Sequence, residues 1–164
     1  MNTTQVQSAG LMTDARWQQR IFTGEWSVPL GGTYEVRDPA NGHSLGQVGH
    51  GNARDIVSAC RAAAAAQRTW AATPARERSS TLLKAATVLE RCFDDCASIV
   101  ARETGGILPK GQHEVKEAIA ILRAAAALAI APRGEVLQSS ARLSYARRVP
   151  RGVVGIISPF NFPL

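Results

Sequence analysis

Few residues in this sequence have the type and setting to do chemistry. Asn161 stands in Ser158-Pro159-Phe160-Asn161-Phe162-Pro163, between two aromatics and two prolines, with no helix to cap. Held rigidly at the end of a strand, its carboxamide NH₂ can donate to an oxygen that gains charge in a reaction. A buried amide must be hydrogen-bonded. The other reading of the same residue is a turn Asn that bonds its own backbone. Residue types alone leave both open.

The cysteines offer less. Cys60, Cys92 and Cys96 are odd in number and lack the matched spacing of a disulfide framework. Cys92 and Cys96 lie four apart in a helical pattern, on the face of Leu82, Ala86, Leu89, Phe93 and Val100 or their neighbours. They read as small buried hydrophobes. No His lies close enough in sequence to complete a metal pair, so no metal is expected. Nothing adjacent argues for a depressed thiol pKa. Such usage fits a reducing cytoplasm.

Around these residues the chain supplies 164 positions, 45% of them hydrophobic and 20% charged, with a formal charge of +6. That length suits one domain, and that composition can bury enough surface to exclude a disordered chain. The charge is mostly Arg and scattered; the densest cluster is Arg142, Arg147, Arg148 and Arg151. Aromatics do not interleave with it, which argues against nucleic acid as a partner. Met1 to Gln19 lacks the basic start and apolar run of a secretory signal. The longest uncharged apolar run, Ala124 to Ala131, is too short for a bilayer. A soluble protein with no membrane partner is expected.

The elements that must position Asn161 follow from pattern. Residues 1–19 read as a loose N-terminal arm, outside a unit spanning 20–164. Ile21-Phe22 and Trp26 read as short strand pieces turning at Gly24. Tyr34–Asp38 alternates, Asn41-Gly42 marks a tight turn, and Leu45–Val48 returns. Three helices are predicted next. The first is capped by Asn52 with Asp55 in a box-like position, and Ile56, Cys60, Ala63, Gln67 and Trp70 recur at helical spacing. The second starts with Thr73 as cap and Pro74 at the first helical position, and ends at Gly105-Gly106. The third runs from about Gln112 to Ile130, with Val115, Ile119, Leu122, Ala126 and Ile130 on one face. Leu143–Val149 alternates apolar and basic residues and reads as a half-exposed strand suited to pairing between subunits. Gly152–Ile157 is a continuous β-branched run, the pattern of a central strand in a parallel sheet. Its carboxyl end is where α/β sheets place ligands, and Asn161 lies just beyond it.

The whole run from Arg148 to Leu164 closely resembles the early signature of the aldehyde dehydrogenase superfamily. Upstream, Phe22-Thr23-Gly24-Glu25-Trp26 is similar to that family's N-terminal turn, and Asp38-Pro39-Ala40-Asn41-Gly42 to its next turn. Trp70, Pro74 and Glu77-Arg78 match the link between its first two helices. Glu103-Thr104-Gly105-Gly106 matches a helix end, and Glu114-Val115 the start of the third helix. The resemblance covers about residues 20–164, in order. Phe160, with Ser158-Pro159 before it, looks most like the benzaldehyde and aromatic-aldehyde branch.

The resemblance implies an α/β fold, the N-terminal part of the aldehyde dehydrogenase fold, ending in the first strand of a Rossmann-like parallel sheet. It implies oxidation of an aldehyde to a carboxylic acid with NAD or NADP, by a homo-oligomer of dimer or tetramer size. Asn161 matches the oxyanion donor. Ile157, Ser158, Pro159 and Phe160 match positions around the cofactor, and Phe162 a residue of the substrate tunnel. The family's nucleophilic Cys and general-base Glu lie C-terminal to this motif. None of the three cysteines matches the nucleophile, and Glu103 and Glu114 match structural positions. The chain therefore reads as the N-terminal part of a subunit, inactive alone. Two other readings stand beside it: a non-catalytic protein pairing with intact subunits through Leu143–Val149, and a basic binder of nucleic acid or membrane surfaces.

Overall fold

Short alternating segments with tight turns fold locally, and the N-terminal third is built from them. The computed structural model describes residues 16–138, 140 and 142–164. β1 (Ile21–Phe22) and β2 (Trp26–Ser27) pair antiparallel, and the Phe22 and Trp26 rings meet edge to face at 5.4 Å. β3 (Thr33–Arg37) and β4 (Ser44–Gly49) form the expected hairpin, Tyr34 opposite Val48, with an irregularity between Val36 and Arg37. Asp38 organises its turn. Its carboxylate accepts from the Ala40 N–H at 2.9 Å, and its carbonyl from the Gly42 N–H at 2.8 Å. Most of the expected N-terminal arm, residues 1–15, lies outside the described residues. Gln19 is bonded to β4, its N–H donating to the Gln47 carbonyl at 3.1 Å.

α1 (Ala53–Ala72) begins as the sequence predicts. Asn52 Oδ1 accepts from the N–H groups of Arg54 and Asp55, and Asp55 Oδ2 accepts from the Asn52 N–H at 2.9 Å. The same Asp55 oxygen accepts from the Leu30 N–H at 3.0 Å, which ties the incoming loop to the helix. The spaced residues Ile56, Cys60 and Trp70 are exposed.

The second expected helix is two helices. α2 (Ala75–Arg91) and α3 (Phe93–Thr104) are separated by the single residue Cys92, at φ −102° and ψ 20°. Pro74 precedes α2 as its N-cap, and Thr73 belongs to the end of α1. The Thr73 hydroxyl donates back to the Thr69 carbonyl, so it is not spent on capping α2. α3 stops at Gly105, whose φ of +68° is the left-handed conformation that glycine adopts without a Cβ penalty. α4 (Leu108–Ile130) starts four residues earlier than expected, with Pro109 tolerated in its first turn.

The core lies among α2, α3 and α4. Ala86, Ala97, Val115 and Ile119 are its buried centre, flanked by Leu89, Phe93, Cys96 and Leu122. The two alanines keep the helix axes close, as the small residues of the sequence suggest. Ala126 is buried, but Ile130, expected on the same face, is exposed at the last residue of α4.

Beyond α4 the structure corrects the expectation twice. β5 (Gly134–Leu137), which the sequence pattern did not suggest, pairs antiparallel with β6 (Ser144–Arg147), the observed extent of the strand expected at Leu143–Val149. That strand therefore has a partner within its own chain. Gly152–Ile157 forms no strand. A β-strand needs a neighbour for its backbone groups, and among the described residues this run has none. The mixed α/β class stands.

Candidate functional site

The segment following β6 forms no regular element as far as Ile157, with Gly152 at φ +93°, and then turns. Pro159 restricts Ser158 to extended conformations. The Phe162 N–H donates to the Pro159 carbonyl at 3.3 Å, closing a four-residue turn with Phe160 and Asn161 at its centre. Backbone therefore closes the turn, and the Asn161 side chain is not required for it. The Asn161 side chain is exposed. Ile157 and Phe160 are 98% and 88% exposed, and Ser158 and Pro159 are exposed beside them. The four thus form one continuous open surface adjoining the Asn161 turn.

Phe162 is different: it turns back onto α4. Its ring lies edge to face with His113 at 6.3 Å, and Lys110 Nζ stands over it at 6.0 Å. Two residues on, the Leu164 N–H donates to Glu114 Oε1 at 2.7 Å. Glu114 is fully buried, and its other oxygen pairs with Lys110 Nζ at 2.6 Å. Lys110, His113 and Glu114 occupy one face of α4, at i, i+3 and i+4. The sequence marks Glu114 only as a helix start. Nothing in its local pattern reveals that it is buried or that it bonds a residue fifty positions away.

Upstream, Arg148 to Gly152 line a cleft of about 370 Å³ together with Trp70 and Arg78. Arg78 also donates to the Thr73 carbonyl, which fixes the α1–α2 link beneath it. The cysteines take no part in the Asn161 turn. Cys60 is exposed on α1, and Cys96 packs beside the helical core, where burial first, then Cys92 and Asp95, push its thiol pKa up. That direction disfavours the thiolate. Among the described residues no group of three or more His, Cys, Asp or Glu side chains could hold a metal ion, and no helix is long and apolar enough to cross a membrane.

Known proteins share this fold. The aldehyde dehydrogenase family matches residues 26–164. A vanillin dehydrogenase from an Amycolatopsis species is 44% identical over 154 residues, covering 93% of this chain and 32% of the relative. The NAD⁺ benzaldehyde dehydrogenase of Pseudomonas putida is 41% identical over 150 residues, 90% of this chain and 31% of the relative. The crystal structure of an NAD-dependent benzaldehyde dehydrogenase from Corynebacterium glutamicum superposes with a TM-score of 0.81 at 30% identity, over 92% of this chain and 33% of that one. The chain thus spans about a third of the length of these relatives. With the family matched from β2 through the Asn161 turn to Leu164, the chain belongs to the aldehyde dehydrogenase family.

Proposed function

We propose that the protein to which this chain contributes oxidises an aldehyde, of the aromatic class, to its carboxylic acid. Water supplies the added oxygen, and NAD or NADP, when bound, accepts the hydride. The observation that carries this reading is the similarity of 44% and 41% to a vanillin and a benzaldehyde dehydrogenase across nearly the whole chain.

The residues fit that task. Ile157, Ser158, Pro159 and Phe160 offer an exposed, largely apolar strip with a hydroxyl, suited to one face of a nicotinamide and its ribose. Asn161 is the oxyanion donor. Its Nδ2 would donate to the aldehyde oxygen as that oxygen gains charge, an interaction stronger in the transition state than in the ground state. Phe162 would present aromatic surface to a planar apolar substrate. In the family the nucleophilic Cys and base Glu follow this motif, so residues 1–164 alone are expected to show no turnover. Exposed Val136, Leu143 and Tyr145 around β5–β6 support a homo-oligomer joined there, and three free cysteines support a cytoplasmic setting.

The test joins residues 1–164 to the remaining two thirds of the P. putida relative and follows reduced nicotinamide with benzaldehyde as substrate. Asn161→Ala is expected to lower kcat by about 10²–10³-fold with KM little changed, the effect of losing one oxyanion donor. An unchanged kcat would remove Asn161 from the reaction.

A further inference from the structure

A carboxylate taken wholly out of water is costly unless each oxygen finds a donor. Glu114 is such a group. If it served α4 alone, an exposed pair with Lys110 at i+4 spacing would suffice. Instead it points inward, and its two oxygens are divided between two tasks. Oε2 pairs with Lys110 at 2.6 Å, and Oε1 accepts the Leu164 N–H at 2.7 Å. The acceptor is charged, so this is a strong bond to a main-chain donor.

Lys110, one turn earlier, and His113, the residue just before Glu114, meet the Phe162 ring at 6.0 and 6.3 Å. Both residues held by α4 follow Asn161 closely, Phe162 directly and Leu164 at three positions. On the other side, the Pro159–Phe162 hydrogen bond closes the turn. Asn161 itself is exposed and sits between these two restraints. We infer that Glu114 is a positioning residue for Asn161, holding the end of its turn against α4 through the Leu164 main chain. The inference rests on the oxyanion role proposed above for its functional meaning, since a donor must be held to within a fraction of an ångström to act on a transition state.

Amide-resolved NMR of the 164-residue chain tests the clamp directly. Glu114→Ala should speed exchange of the Leu164 amide about tenfold or more and move the Asn161 side-chain resonances. Glu114→Gln, which keeps an acceptor oxygen, should restore most of the protection. Should Glu114→Ala disturb α4 itself, visible in the Val115 and Ile119 methyl signals, Leu164→Pro removes the donor and leaves the helix untouched. It should move the Asn161 resonances in the same way. Equal Leu164 exchange in the parent, Gln and Ala forms would overturn the inference. So would Asn161 resonances that ignore Leu164→Pro. The oxyanion reading fails separately: a responsive Leu164 amide, together with an Asn161→Ala enzyme of unchanged kcat, would leave the clamp standing and remove its catalytic purpose.

Discussion

Glu103 and Cys96 border one apolar cavity of about 260 Å³, walled by Val36, Leu45, Val48 and Ile99 between the β3–β4 hairpin and α3. Glu103 keeps its outer surface in water, but partial burial of its carboxyl raises its pKa. A carboxyl whose pKa is higher folded than unfolded binds its proton more tightly in the native state. Its contribution to stability is present below the ordinary glutamate pKa and is lost as pH rises through the raised value. Glu103→Gln is therefore expected to raise the denaturation midpoint at neutral pH and to leave it unchanged in acid. The gain is small because water still screens the group. Denaturant titrations at the two pH values check it; a midpoint that falls at neutral pH would contradict the burial argument. At this scale the sequence shows Asn161 well, because prolines and aromatics isolate it. It shows Glu114 poorly, because a Glu beside a helix start is ordinarily solvated and only packing reveals otherwise.

Among the elements, the division of one expected helix into α2 and α3 shows what periodicity can resolve. Leu82, Ala86, Leu89, Phe93, Cys96 and Val100 keep a helical spacing straight through the break, because only Cys92 departs from helical geometry. The Cys96 N–H still donates to the Cys92 carbonyl across it. Asp94 and Asp95 in the first turn of α3 favour a helix N-terminus there, a signal that the apolar stripe conceals. Caps were more legible: Asn52 with Asp55 specifies the start of α1 by side-chain chemistry alone. The contact of α3 with α4 depends on Gly111, which is buried and whose missing side chain leaves room for the Ala97 carbonyl. Gly111→Ala would drive a methyl into that oxygen. A loss of about 1–3 kcal/mol is expected from overpacking, outweighing the helix propensity that alanine gains over glycine. Thermal or urea denaturation measures it, and a stabilised variant would show that α3 and α4 can separate without cost.

For the molecule as a whole, the buried apolar core is small and lies mainly among α2, α3 and α4. Large apolar side chains stand in water on several elements, and they form a contiguous run along the C-terminal segment, where Val154 is 66% and Ile156 83% exposed. A contiguous apolar run with unpaired backbone favours association. The isolated chain should self-associate as its concentration rises, and Val154→Ser with Ile156→Ser should reduce this without changing helix content. Sedimentation and circular dichroism follow the two quantities. Monomeric behaviour of the parent at high concentration would contradict the expectation.

By itself the sequence determined the mixed α/β class, the hairpin turn at Asn41-Gly42, the α1 cap, the glycine that stops α3 and the family. All of these rest on near neighbours or on motifs in fixed order, which local stereochemistry and spacing suffice to specify. Tertiary structure decided the rest. Gly152–Ile157 has the composition of a strand but is not one here, since pairing belongs to the neighbour and not to the run. The inward half of each helix, the partner of β6, and the bond from Glu114 to Leu164 all depend on residues distant in sequence. Their energies come from desolvation and close contact, and these exist only once the distant parts have met.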